Sequence, residues 1–131
     1  RCEIVRKGRD VTLVGIGRMT HVCLEAAALL ATDNIEAEVV DVLTINPLDE
    51  ETIIRSVKRT HRCVVVDEDT PVCSMGRDIA ARVGDAAFDF LDAPVKAVTA
   101  ADTPVPFAAV LEAHYTPNAD KVVAVVKEQV G

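Results

Sequence analysis

The chain has 131 residues, half of them hydrophobic but only 3% aromatic, and a net charge of −7. That acidic balance excludes a nucleic acid or an anionic membrane held by charge, and recurring charges leave no apolar run near the ~18 residues a membrane helix needs. A single domain of this length buries about two-thirds of its unfolded surface, and an Ala- and Val-rich composition without Trp favours helices packed closely on a sheet over an aromatic ligand pocket.

Short β-rich runs alternate with stretches of helical period, the pattern of an α/β layer fold. Cys2 to Val5 reads as a brief strand, broken at Lys7-Gly8-Arg9-Asp10. The start, Arg1-Cys2-Glu3-Ile4, has neither the apolar core of a signal peptide nor an initiator Met, and reads as a piece of a longer chain. Val11 to Ile16 is the first strong strand. From Arg18 to Thr32, Met19, Val22, Cys23, Ala26, Leu29 and Leu30 fall at helical spacing and predict one apolar stripe. Ala37 to Leu43 is a strand apolar on either side of Asp41, as one covered on both faces would be.

The next helix is the best specified. Asp49 is placed to cap it, Leu48 to staple onto Ile53, and Glu50 and Glu51 to complement its positive end, while Arg55, Lys58 and Arg59 gather at the other. Arg62 to Asp67 is a Val-rich strand. Met75, Ile79, Ala80 and Val83 mark a further helix with Ser74 as its cap, and Val95 to Thr99 the last strand. Asn118 caps a terminal helix whose Val122, Val123, Val126 and Val130 are expected to face inward. Parallel strands joined by right-handed crossovers give a three-layer α/β/α sandwich.

Three places invite chemistry. Gly15-Ile16-Gly17 ends a strand before a helix, where a dinucleotide fingerprint would lie, but Thr20 stands where the third glycine belongs, and glycines also serve simply to turn strand into helix. Asp67-Glu68-Asp69 follows a strand, where ligands of open α/β sheets gather, and could hold Mg²⁺ or accept a phosphoryl group. No second strand end supplies a carboxylate, so a solvated acidic loop is the preferred reading. His21, His61 and His114 are the three histidines, none beside a nucleophile in a strained turn, and they read as surface or capping residues. Cys2, Cys23, Cys63 and Cys73 have no C-x-x-C spacing, which argues against a metal site, and without a secretion signal a disulfide framework is not expected.

Leu91-Asp92-Ala93-Pro94 and the run from Val98 to Phe107 are too specific for generic loop. Pro104 and Pro106 fix φ at about −65° and withhold two donors, so Thr103 to Phe107 reads as a stiff extended arm suited to docking. With Asp10-Val11-Thr12-Leu13-Val14, Gly17-Arg18-Met19, Ala37 to Asp41, Pro47-Leu48-Asp49, Val64 to Glu68 and Asp78 to Ala81, the chain resembles the C-terminal domain of the β subunit of thiamine-diphosphate-dependent 2-oxo acid dehydrogenases. The resemblance implies one transketolase C-terminal-like domain over residues 1–131, with a mostly parallel sheet of about five strands, the first antiparallel.

It also implies a parent enzyme that decarboxylates a 2-oxo acid and acylates a lipoyl carrier, in the bacterial cytoplasm or the mitochondrial matrix. Thiamine diphosphate and Mg²⁺ would sit between the E1 α subunit and the β subunit's N-terminal domain, leaving this domain no catalytic, cofactor-binding or metal residue. Its work would be assembly: pairing with a second β subunit in a heterotetramer, and docking the subunit-binding domain of the E2 acyltransferase core. Asp92 matches the family's docking aspartate, and the C-terminal carboxylate contact would fall near Gly131. Asp67 to Pro71 with Cys73-Ser74-Met75 resembles the acetoin dehydrogenase branch. The alternatives are a free-standing flavodoxin- or receiver-like module using Asp67 to Asp69, and a small enzyme with an unassembled site.

Overall fold

The run with no polar face, Val11-Thr12-Leu13-Val14-Gly15-Ile16, takes the middle of the sheet. The computed structural model describes residues 1–43, 48–68, 75–99 and 117–131. In it β1 is Cys2–Arg6, β2 is Val11–Ile16, β3 is Ala37–Val42, β4 is Cys63–Val66 and β5 is Lys96–Val98. All six residues of β2 are buried, because it has parallel neighbours on both sides, β3 and β4, and helices on both faces. Val14 lies opposite Val40 on one side and Val65 on the other. β1 runs antiparallel along the outer edge of β3, and β5 parallel along β4, in the order β1-β3-β2-β4-β5. The mostly parallel five-stranded sheet with an antiparallel first strand is the expected one.

Side-chain alternation divides the interior into two cores. Leu13, Val39, Val64 and Val66 face α1 (Met19–Ala31) and α4 (Ala119–Val130), meeting Cys23, Ala26, Leu30, Val122 and Val126. Val14, Val40, Val42 and Val65 face α2 (Glu50–Thr60) and α3 (Met75–Ala86), meeting Ile53, Val57, Ile79 and Val83. Each fully buried Val or Ile contributes about 1.5–3 kcal/mol relative to exposure. Two expected core residues are outside: Leu29 is 44% exposed and Val130 39%. In α1 the face toward the sheet runs through Ala26, Ala27 and Leu30. In α4 the buried pair is Val122 and Val126, and the last turn uses Gln129 instead, whose Nε2 donates to the carbonyls of Cys63 and Pro94.

The caps form where the sequence puts them. Asp49 accepts from the Thr52 amide at 3.3 Å and the Thr52 hydroxyl at 2.7 Å, and that hydroxyl holds the Asp49 carboxyl below its ordinary pKa. Leu48 packs on the core that contains Ile53, and Asn118 accepts from the Lys121 amide at 2.9 Å. The Ser74 cap lies outside the described residues.

Two polar clusters under the sheet have no local signature. Glu38, 2% exposed, accepts from Arg59 at 2.6 Å and from the Gly8 amide. The Thr12 hydroxyl lies 2.7 Å from both Ser56 Oγ and Thr60 Oγ1 on α2. Thr12→Val keeps the shape but strands the Ser56 hydroxyl, so urea denaturation should show a loss of about 1–2 kcal/mol. Adding Ser56→Ala should recover part of that loss, since the two sites share one interaction.

Candidate functional site: the two ends of the sheet

The carboxyl ends of β2, β3 and β4 form the rim where α/β sheets commonly hold ligands. The described part of that rim is taken up by its own residues. A Cβ on Gly15 would lie 2.6 Å from Thr20 Cα, so the start of α1 packs directly on the strand end. Gly17 has φ +61° with open space around it, and makes the turn into α1. Thr20 occupies the ground of the missing third glycine and donates to Asp41 at 2.7 Å. Arg18 and Glu68 pair across the strand ends at 2.6 Å on the exposed surface.

Asp67 corrects the expectation of a solvated acidic loop. It is 2% exposed, and its carboxylate accepts from the Gly76 amide in the first turn of α3 at 2.8 Å. It is a structural anchor for that helix, tied also through its own amide to the Val98 carbonyl at 3.0 Å. Glu68 is half-buried, and Asp69, Thr70, Pro71, Cys73 and Ser74 lie outside the described residues. Among the described residues no three His, Cys, Asp or Glu side chains converge to hold a metal ion. Burial pushes the thiols of Cys23 and Cys63 up to about 12, far from a nucleophilic thiolate at neutral pH. His21 is exposed on α1, and His114 lies outside the described residues.

At the other end, the amino ends of β4 and β5, exposed groups sit on a pinned backbone. After α3 the chain makes one 3₁₀ turn, Phe88–Phe90, which the sequence did not announce. The following segment is held from several directions. The Asp92 amide donates to the His61 carbonyl at 2.8 Å, His61 Nδ1 lies 2.7 Å from the Phe90 carbonyl oxygen, and Gln129 reaches the Pro94 carbonyl. Lys58 Nζ stands 5.0 Å from the centre of the Phe90 ring. Asp92 itself is exposed, and Phe88 is 75% exposed.

Between this segment and α3 lies an open groove of about 680 Å³, lined by Ala80, Gly84, Phe88, Leu91, Asp92 and Val95. Gly131 is exposed and closes α4 two residues after Gln129, with φ +93°. The structure therefore brings the Asp92 segment and the last turn of α4 to one end of the sheet. The proline arm from Thr103 to Phe107 lies outside the described residues. The sequence leaves Gln129 unmarked and gives His61 only as a surface or capping residue, and His61 does cap α2. The one available signal was the absence of a glycine where α2 stops.

The family model for the transketolase C-terminal domain matches residues 1–122. The chain is 49% identical over its whole length to the β subunit of acetoin:2,6-dichlorophenolindophenol oxidoreductase from Bacillus subtilis strain 168, of which it covers 38%. It is 43% identical over 86% of its length to the β subunit of the mitochondrial pyruvate dehydrogenase E1 component of Dictyostelium discoideum, covering 32% of that protein. Among solved structures, a split-gene transketolase described as an inactive β4 tetramer superposes over 98% of this chain and 41% of its own, with a TM-score of 0.79 and 32% identity. The chain thus spans less than two-fifths of the curated relatives named here.

Proposed function

The chain belongs to the transketolase C-terminal domain family, and from that premise we propose that residues 1–131 are the C-terminal assembly domain of the β subunit of a thiamine-diphosphate-dependent dehydrogenase. Its parent acts on a 2-oxo acid or on acetoin and passes the acyl group to a lipoyl carrier. The higher identity to acetoin-type β subunits favours the acetoin branch. The described residues do not fit thiamine diphosphate or its Mg²⁺, since no donor set converges for the metal and Thr20 closes the strand-end crevice against Gly15. In this reading both belong to the parent's other domain and its E1 α subunit, and no catalytic step runs through this domain. Related proteins are bacterial and mitochondrial, and among the described residues no helix is long and apolar enough to cross a membrane. The bacterial cytoplasm or the mitochondrial matrix is the compartment proposed.

One observation carries the reading: among the described residues at the strand carboxyl ends, Asp41 and Asp67 are bonded within the fold, whereas Asp92 is exposed on a backbone held by hydrogen bonds. Asp92, with the C-terminal end at Gly131, is the proposed contact for the subunit-binding domain of the E2 acyltransferase core, beside pairing with a second β subunit. A carboxylate accepting from Arg or Lys makes a stronger hydrogen bond than a neutral acceptor. Asp92→Asn in the assembled enzyme should weaken that binding about tenfold at low salt, and by less at high salt, where exposed charges are screened. Calorimetric titration at two ionic strengths checks this. Equal affinities for both enzymes at low salt would remove Asp92 from the interface.

A further inference from the structure

His61 ends α2 in the left-handed region, at φ 65°, where L side chains are disfavoured. Stopping the helix calls for no more than glycine at that position. The imidazole adds what glycine lacks: Nδ1 lies 2.7 Å from the Phe90 carbonyl oxygen, 29 residues along the chain. A carbonyl only accepts, so Nδ1 carries the proton and donates. The main-chain carbonyl of the same residue accepts from the Asp92 amide at 2.8 Å. The two bonds bracket Leu91, which packs on the core, and Lys58, one turn earlier, covers the Phe90 ring. β4 begins two residues after His61, so the bracket is rooted at the joint between α2 and the buried sheet.

We propose that His61 is a positioning residue for the Asp92 contact, holding the Phe90–Asp92 backbone so that the carboxylate is presented in one place to a basic partner. The inference rests on the docking reading above. A loop ordered before binding does not lose its backbone freedom on association, and that loss otherwise subtracts directly from affinity.

The test uses the full-length β subunit assembled with its α subunit, in four forms: His61→Gly, His61→Asn, Asp92→Asn, and His61→Gly with Asp92→Asn. Glycine keeps the left-handed backbone and removes the ring. Asparagine tolerates that backbone and carries an amide nitrogen where Nδ1 stands. Hydrogen exchange reads the Asp92 amide, and calorimetry reads affinity for the subunit-binding domain. His61→Gly should speed exchange at Asp92 and weaken binding, each about fivefold, the scale of one lost hydrogen bond. His61→Asn should restore both. In the Asp92→Asn background, His61→Gly should cost no further affinity, because the ring acts through Asp92. A purely structural role would leave the two losses additive, and additivity overturns the proposal. Unaltered exchange in His61→Gly, or no recovery in His61→Asn, overturns the ring bond itself. Faster exchange with unchanged affinity overturns the positioning role. Unchanged affinity in Asp92→Asn ends the docking reading and the positioning role with it, and the exchange data then show separately whether the bracket exists.

Discussion

Gly15→Ala should destabilise the domain by about 3 kcal/mol, at the upper end of what overpacking a core costs, lowering the melting temperature by roughly 10 °C at this chain length. The added Cβ would lie 2.6 Å from Thr20 Cα and 2.8 Å from its amide nitrogen, and neither is a flexible side-chain end that could swing away. Gly15 cannot retreat, because β2 is paired on both sides and its register is set against Asp41 and Val66. Relief must come from shifting the start of α1, which would stretch the bond from Thr20 to Asp41. Gly17, two residues on, makes the control. Nothing lies within 4 Å of a Cβ there, so Gly17→Ala meets only the penalty of a left-handed φ, about 1–2 kcal/mol. Thermal and urea denaturation of both variants checks the ranking. Equal losses would mean that the two glycines serve only the turn.

Asp67→Ala should cost about 2 kcal/mol, at the upper end for losing a helix cap, because the group is 2% exposed and the Gly76 amide it leaves behind is buried. Asp67→Asn retains an oxygen acceptor and should lose less than half as much. Glu68→Gln is expected to change stability by under about 0.5 kcal/mol, as its partner Arg18 is an exposed cation and such pairs contribute little. The ranking Ala, then Asn, then Glu68→Gln is readable from denaturation midpoints. A neutral Asp67→Ala would return the solvated acidic loop.

The strands and helices were legible because their determinants are local. Val11 to Ile16 is apolar apart from Thr12, α2 carries its cap and its charge gradient within a dozen residues, and Asn118 stands three residues before the amide it accepts from. Boundaries moved by a residue, as in β5, where Val95 and Thr99 flank the paired core Lys96–Val98. Thr20 in the place of a third glycine was readable too, and the structure packs it directly on Gly15.

What only the tertiary structure decided depends on partners far along the chain. Asp67 looks like any acidic residue after a strand until α3 places the Gly76 amide against it, and nothing beside Glu38 in the sequence names its partner, Arg59, 21 residues away. Leu29 and Val130 satisfy the helical period yet face outward, because period gives the width of an apolar stripe and not which edge of it the sheet covers. His61 reads in the sequence as a surface or capping histidine, and what its ring holds is hidden for the same reason. Its role is defined by the carbonyl of Phe90 and the amide of Asp92. Secondary structure is specified by neighbours within a turn or a strand, whereas burial and hydrogen-bond partnership are properties of the assembled layers.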